Sequence, residues 1–184
     1  MKKVFAFMAL VIAFASCNNS AKFKDSINEL AGKWDATTSA VTEFSQMVKG
    51  AQSAWVESSS SMQVAPEAMT KWDETTKTKY NDLQAAAQTN TANLSSIASE
   101  LDSFMAQWAG KNDAMQALKD GLASGKLGGD TETKIAELTS AANAAATSLE
   151  GWKTKYQEVA SALENSKQMF ADFLGSVGGD SSTR

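Results

Sequence analysis

The chain has 184 residues, with 21 acidic and 17 basic side chains, no histidine, one proline and one cysteine. A chain without histidine lacks the commonest general base and metal ligand. Its positive charges are also unclustered, with Arg184 the only arginine, which excludes nucleic acid as the expected partner. The length suits one domain, apolar residues are frequent enough for a core, and the scarcity of proline beside abundant Ala, Lys, Glu, Gln, Met and Leu favours helix.

Residues 1–16 read MKKVFAFMALVIAFAS. Lys2 and Lys3 form a positive start, Val4 to Phe14 an apolar stretch, and small residues follow. This is the pattern of a secretory signal, too short to span a bilayer stably. The stretch FASC then places Ala15 and Ser16 directly before Cys17. It resembles the lipobox of bacterial lipoproteins, with Phe14 standing where that family usually has leucine. In that family the cysteine thiol is acylated, the chain is cut before it, and the new amine is acylated too. The resemblance implies lipidation, palmitate-like, at Cys17. Asn18 replaces the Asp that signals inner-membrane retention in that family, which implies the outer membrane of a Gram-negative bacterium, on its periplasmic or surface face. Acylation also accounts for a single thiol with no disulfide partner in an oxidising compartment. Several acyl chains attach stably where one does not. Without Lys2 and Lys3 the chain keeps 15 basic against 21 acidic side chains, a net charge of −6. Anionic lipid repels such a chain, so the anchor must hold it. Residues 17–22 read as a lipidated tether.

From Phe23 apolar residues recur every three to four positions. One seam is Ile27, Trp34, Val41, Val48, Trp55, Met62; its partner is Phe23, Leu30, Thr37, Phe44, Ala51, Ser58. Each steps by seven, the heptad pattern of helices that supercoil left-handedly. Serines 58–61 weaken this helix. Ala65, preceding Pro66, is pushed out of helical geometry, and Pro66 suits the first turn of a new helix.

The second helix carries Met69, Thr76, Leu83, Asn90, Ile97, Phe104 and, beside them, Tyr80, Ala87, Leu94, Leu101, Trp108. Gly110 is expected to end it, with a short amphipathic helix over 112–124 following. SGKLGGD breaks the chain, and Asp130 is a natural N-cap. The third helix carries Ile135, Ala142, Leu149, Tyr156, Leu163, Phe170 and Leu138, Ala145, Trp152, Val159, Ser166, Phe173. Gly175, Gly178 and Gly179 are expected to close it, leaving 177–184 as a flexible tail.

The expected fold is all-α: an elongated antiparallel three-helix bundle over 23–176, coiled-coil-like, with one short extra helix between the second and third long ones. Helices of roughly 40 residues would each span about 60 Å. A fold-back near residue 64 sets Trp55 against Trp72 and Thr37 against Asn90. In the same register Trp152 faces Ala87, and Ala142 and Ala145 face Ile97 and Leu94. Large against small is what even packing requires.

The echo of KWDATT (33–38) in KWDETT (71–76) reads as two helices written by one packing rule. A repeated carbohydrate- or aromatic-binding motif is the alternative. The single cysteine is taken by lipid, no phosphate loop follows a strand, and the carboxylates are scattered as on a solvated helix surface. No catalytic, cofactor or metal residues are expected; Asp130 and Glu132 read as helix N-terminal charges rather than a calcium site. Thr37, Thr76, Asn90 and Ser166 occupy seam positions, where polar groups fix register or line a small cavity. The expected function is a lipid-anchored envelope module, structural or protein-binding and without catalysis. Its partners are then the membrane and an envelope protein. The alternative is a carrier or sensor for an apolar ligand, with 112–124 as a lid near Trp108 and the methionines as an adaptable lining.

Overall fold

The computed structural model describes the backbone of residues 2–60 and 62–179 and the side chains of 20–60 and 62–178. Cys17 and the other side chains of the signal segment, and residues 180–184 of the expected tail, lie outside the described residues. The elements are α1 (Lys2–Ser60), α2 (Pro66–Met69), α3 (Glu74–Ser124) and α4 (Thr131–Gly179), with no strand among the described residues. The fold is an all-α bundle in which three long helices pack against one another.

The heptads are the reason. Ile27, Trp34, Val41, Val48, Trp55 and Met62 are all buried, as are Phe23, Leu30, Thr37 and Phe44 on the companion seam. On α3 the buried residues Tyr80, Ala87, Leu94, Leu101, Trp108 and Met115 step by seven, and on α4 Leu138, Ala145, Trp152, Val159, Ser166 and Phe173 do the same. Removing a Val, Leu, Ile, Phe or Met side chain from water contributes about 1.5–3 kcal/mol, so rows of this length hold the helices together.

The chain divides into two compact units, each built from pieces of all three long helices. Unit 1 comprises Met1–Thr42 and Ser103–Leu149. Within it, Trp34 reaches Asn112 and Trp108 reaches Thr38, which sets α1 and α3 antiparallel. Lys22 meets Glu132 and Lys33 meets Asn143, which sets α1 and α4 parallel. Its core joins Phe23, Ile27, Leu30 and Trp34 to Trp108, Met115 and Leu118 and to Leu138, Ala142 and Ala145.

Unit 2 comprises Glu43–Asp102 and Glu150–Arg184. Its α1–α3 contacts are Lys49 with Asp102, Gln52 with Ser95 and Trp55 with Thr91. Asn90 reaches Ser166 and Glu100 meets Lys155, so α3 is antiparallel to α4 here. The ring of Phe44 on α1 packs edge-on against Tyr156 on α4, 5.7 Å away.

The register differs from the sequence expectation. Trp55 meets Thr91 rather than Trp72, and Trp152 meets Glu100 rather than Ala87. Thr37 and Asn90 belong to different units. Ala142 and Ala145 share a core cluster with Trp34 and Trp108, not with Ile97 and Leu94. Two punctuation residues account for the shift. Pro66 starts only the four-residue α2, which buries none of its residues, and α3 begins eight positions later at Glu74. The α1–α3 fold-back therefore extends through α2 to Asp73. Gly110 does not end α3, which runs on to Ser124. A glycine inside a helix costs about 1 kcal/mol, whereas continuing this helix buries Met115 and Leu118. The single short helix consequently lies between the first and second long helices, not between the second and third. The segment 112–124 is core-forming α3 rather than a lid.

The helix ends are written locally. Ala65 is extended, with φ −60° and ψ 137°. Gly125 ends α3 in the left-handed region, at φ 68°. There its N–H donates to Leu122 O and that of Lys126 to Gly121 O, the paired bonds of a Schellman cap. Asp130 stands directly before α4, and its carbonyl accepts the first helical bond, from Lys134 N–H. Residues 20–22, expected in a tether, belong to α1, and α4 runs through Gly175 to Gly179.

Candidate functional site

A buried tryptophan brings a large apolar ring and one N–H that needs an acceptor. In this chain the acceptors lie on neighbouring helices. In unit 1, Trp34 Nε1 donates to Asn112 Oδ1 at 2.9 Å, and Trp108 Nε1 donates to Thr38 Oγ1 at 2.8 Å. The two rings stack with centroids 3.7 Å apart and planes 13° from parallel. Thr38 lies one turn after Trp34, and Asn112 one turn after Trp108, so each ring bonds to the residue four positions beyond the other. Thr38 Oγ1 also donates to the Trp34 carbonyl at 2.8 Å. Phe104 extends the stack beyond Trp108, its centroid 5.5 Å away. The fully buried Ala142 and Ala145 belong to the same cluster, so the bulkiest residues of α1 and α3 share their core with the smallest of α4.

Unit 2 repeats the principle with different acceptors. Trp55 Nε1 donates to Thr91 Oγ1 at 2.6 Å, and Trp152 Nε1 to Glu100 Oε2 at 2.9 Å. Lys155 joins Glu100 at 3.0 Å. The Lys155 ammonium, then the Trp152 indole, hold the Glu100 carboxyl below its ordinary value of 4.5. Asn90 Nδ2 donates to Ser166 Oγ at 3.2 Å, and Ser166 Oγ donates back to the Ala162 carbonyl. Trp72 lies before α3 and packs edge-on against Phe173 and Tyr80, at 5.3 and 5.5 Å.

The four polar seam residues are thus not gathered into one cavity. Asn90 and Ser166 pair; Thr37 is buried on α1 in unit 1, and Thr76 is half-buried in the first turn of α3. An open concavity at the start of α3 is lined by Glu74, Thr75, Thr78, Lys79 and Asp82, every one exposed and none from a seam. Met62 and Met115 are buried, Met69 and Met105 half-buried, Met47 and Met169 exposed. They do not form one lining. Asp130 pairs with Lys134, and Glu132 with Lys22.

The echoed hexapeptides adopt different conformations. In KWDATT all six residues are inside α1, and Asp35 pairs with Lys119. In KWDETT Asp73 precedes α3, and its Oδ1 accepts the N–H of Thr76 at 2.7 Å, an N-cap. That backbone hydrogen bond lowers the Asp73 pKa. The repeat is one of letters, not of a site.

The acceptors Thr38, Thr91, Asn112 and Glu100 escaped the sequence reading because they flank the apolar seams and read as surface. The available signal was a tryptophan followed four positions later by a short polar residue, at Trp34–Thr38 and Trp108–Asn112. Comparison with known protein families, with curated proteins and with solved structures gives no match for this chain.

Proposed function

We propose that this chain is a lipid-anchored cell-envelope scaffold, acylated at Cys17 and held at the outer membrane, presenting a helical bundle to an envelope protein rather than catalysing a reaction. The observation that supports this most is the occupation of the interior by its own indole bonds. Trp34, Trp55, Trp108 and Trp152 each donate to a side chain on another helix, and Asn90 meets Ser166. The buried indole N–H groups that could orient a guest are used instead to hold helix against helix. Such bonds fix register, because a slipped helix leaves buried donors unsatisfied. A bundle of fixed register suits a protein that positions other things.

The anchor is tested by growing cells with a labelled fatty acid and comparing the wild type with Cys17→Ala. The label is expected on the wild type alone; equal label on the variant overturns the anchor. Cross-linking in intact cells, followed by mass spectrometry of the captured species, tests the scaffold role. An envelope protein attached at exposed residues of the bundle is expected, and recovery of the bundle free of any partner contradicts it.

A further inference from the structure

We infer that the α3–α4 turn of unit 1, residues 124–130, lies against the lipid headgroups. The inference rests on acylation at Cys17 and names the surface that acylation would bring to the membrane. Ser20 is the first residue with a described side chain. Its hydroxyl is enclosed and is the buried side-chain oxygen without a hydrogen-bond partner among the described residues. It lies 3.9 Å from where a Cβ on Gly125 would stand, so α1 is already seated on the turn at Ser20. Two residues on, Lys22 pairs with Glu132, and Phe23 is in the core. Only residues 17–19, themselves within α1, separate Ser20 from the start of the acylated chain.

That distance decides the geometry. Three residues reach at most about 10 Å when fully extended, and each headgroup layer is roughly 5–8 Å thick. A Cys17 whose acyl chains are in the hydrocarbon keeps Ser20, and the turn that it touches, in or just above the headgroups. The charges at this end agree with such a position. The carboxylates of Glu132 and Asp130 are engaged by Lys22 and Lys134, which leaves the exposed Lys24 and Lys126 against Asp25 and Asp120 among the described residues. A chain with net negative charge thereby presents a locally neutral end to the membrane.

The test uses the full acylated chain in phosphatidylethanolamine–phosphatidylglycerol vesicles that contain a headgroup spin-labelled phospholipid. An environment-sensitive fluorophore is placed by Lys126→Cys, within the turn, or by Ala146→Cys, exposed on α4 of the same unit and about 22 Å further along that helix from Thr131. Fatty-acid labelling of each variant is read in parallel. Quenching several-fold stronger at 126 than at 146, on acylated protein, is the expected result. Equal quenching at the two positions, or none at 126, on acylated protein overturns the inference and leaves the anchor standing. Absence of acylation overturns the anchor and the inference together.

Discussion

Trp34 and Trp108 form a reciprocal clasp, stacked at 3.7 Å, with each indole N–H bonded to the side chain one turn beyond its partner. The stack sets the height of α1 against α3, and the two bonds make a slip of one turn leave both donors without acceptors.

The two tryptophans should therefore be energetically coupled. Trp34→Phe and Trp108→Phe each remove an indole donor and keep an aromatic ring. In a double-mutant cycle followed by urea unfolding, the expected coupling is about 0.5–1.5 kcal/mol, the range for aromatic pairs. Additive losses contradict the clasp. Trp34→Ala should cost more, about 3–5 kcal/mol, through the cavity it leaves.

The small side chains in that core cluster are required by the rings. Ala142 is fully buried in the cluster with both tryptophans. Ala142→Leu is expected to destabilise by about 1–3 kcal/mol through overpacking, seen as a lower melting temperature. The same change at Ala146, exposed on the same helix, should be close to neutral.

The seams were legible in the sequence because burial on a helix follows its period, and the period survives whatever the partner. Register was not, because it depends on which punctuation residue the packing obeys. Gly110 resembles a terminator by itself, yet Trp108 and Met115 on either side continue one buried row. Pro66 does start a helix, but one of four residues. The indole acceptors were illegible for the same reason. Thr38, half-buried, and Asn112, exposed at the seam edge, come within reach of the indoles only once α1 and α3 are correctly opposed.

The Asn90–Ser166 pair offers a test of polar register. Ser166→Ala deprives the Asn90 amide of its partner across the helices and should cost about 1 kcal/mol. Combining it with Asn90→Leu should recover much of that loss, because no polar group of this part-buried pair is then left without a partner. A double variant less stable than the sum of the singles contradicts the assignment.

The two aspartates of the echoed hexapeptide should behave differently. Asp73→Ala removes an N-cap and should lower the stability of α3's first turn, whereas Asp35→Ala breaks only an exposed pair with Lys119. Hydrogen exchange at Thr76 and Lys77 should quicken in the first variant and stay unchanged in the second. Equal effects contradict the reading that the echo is one of letters alone.

Acid should weaken the fold through lowered carboxyls. Glu100, Asp73 and Asp130 are all held below their ordinary values, by Lys155, the Thr76 backbone N–H and Lys134 respectively. A carboxyl with a depressed folded-state pKa contributes stability that is fully present above its unfolded pKa and is lost as pH falls through the folded one. Stability should thus be level near neutrality and decline below pH 4.5, the ordinary value for Glu100. Glu100→Gln should make that decline shallower in acid titrations followed by circular dichroism; an unaltered slope contradicts a role for the Trp152–Glu100–Lys155 contact.

Scaffold and carrier part most clearly at the tryptophans, four of which are buried and bonded across helices. Their emission, recorded while phospholipids, fatty acids and other apolar compounds are titrated into the protein, is the most direct measurement. A closed interior leaves wavelength and intensity unchanged across the series. A saturable shift with any of these compounds means that a guest enters among the helices and contradicts the scaffold.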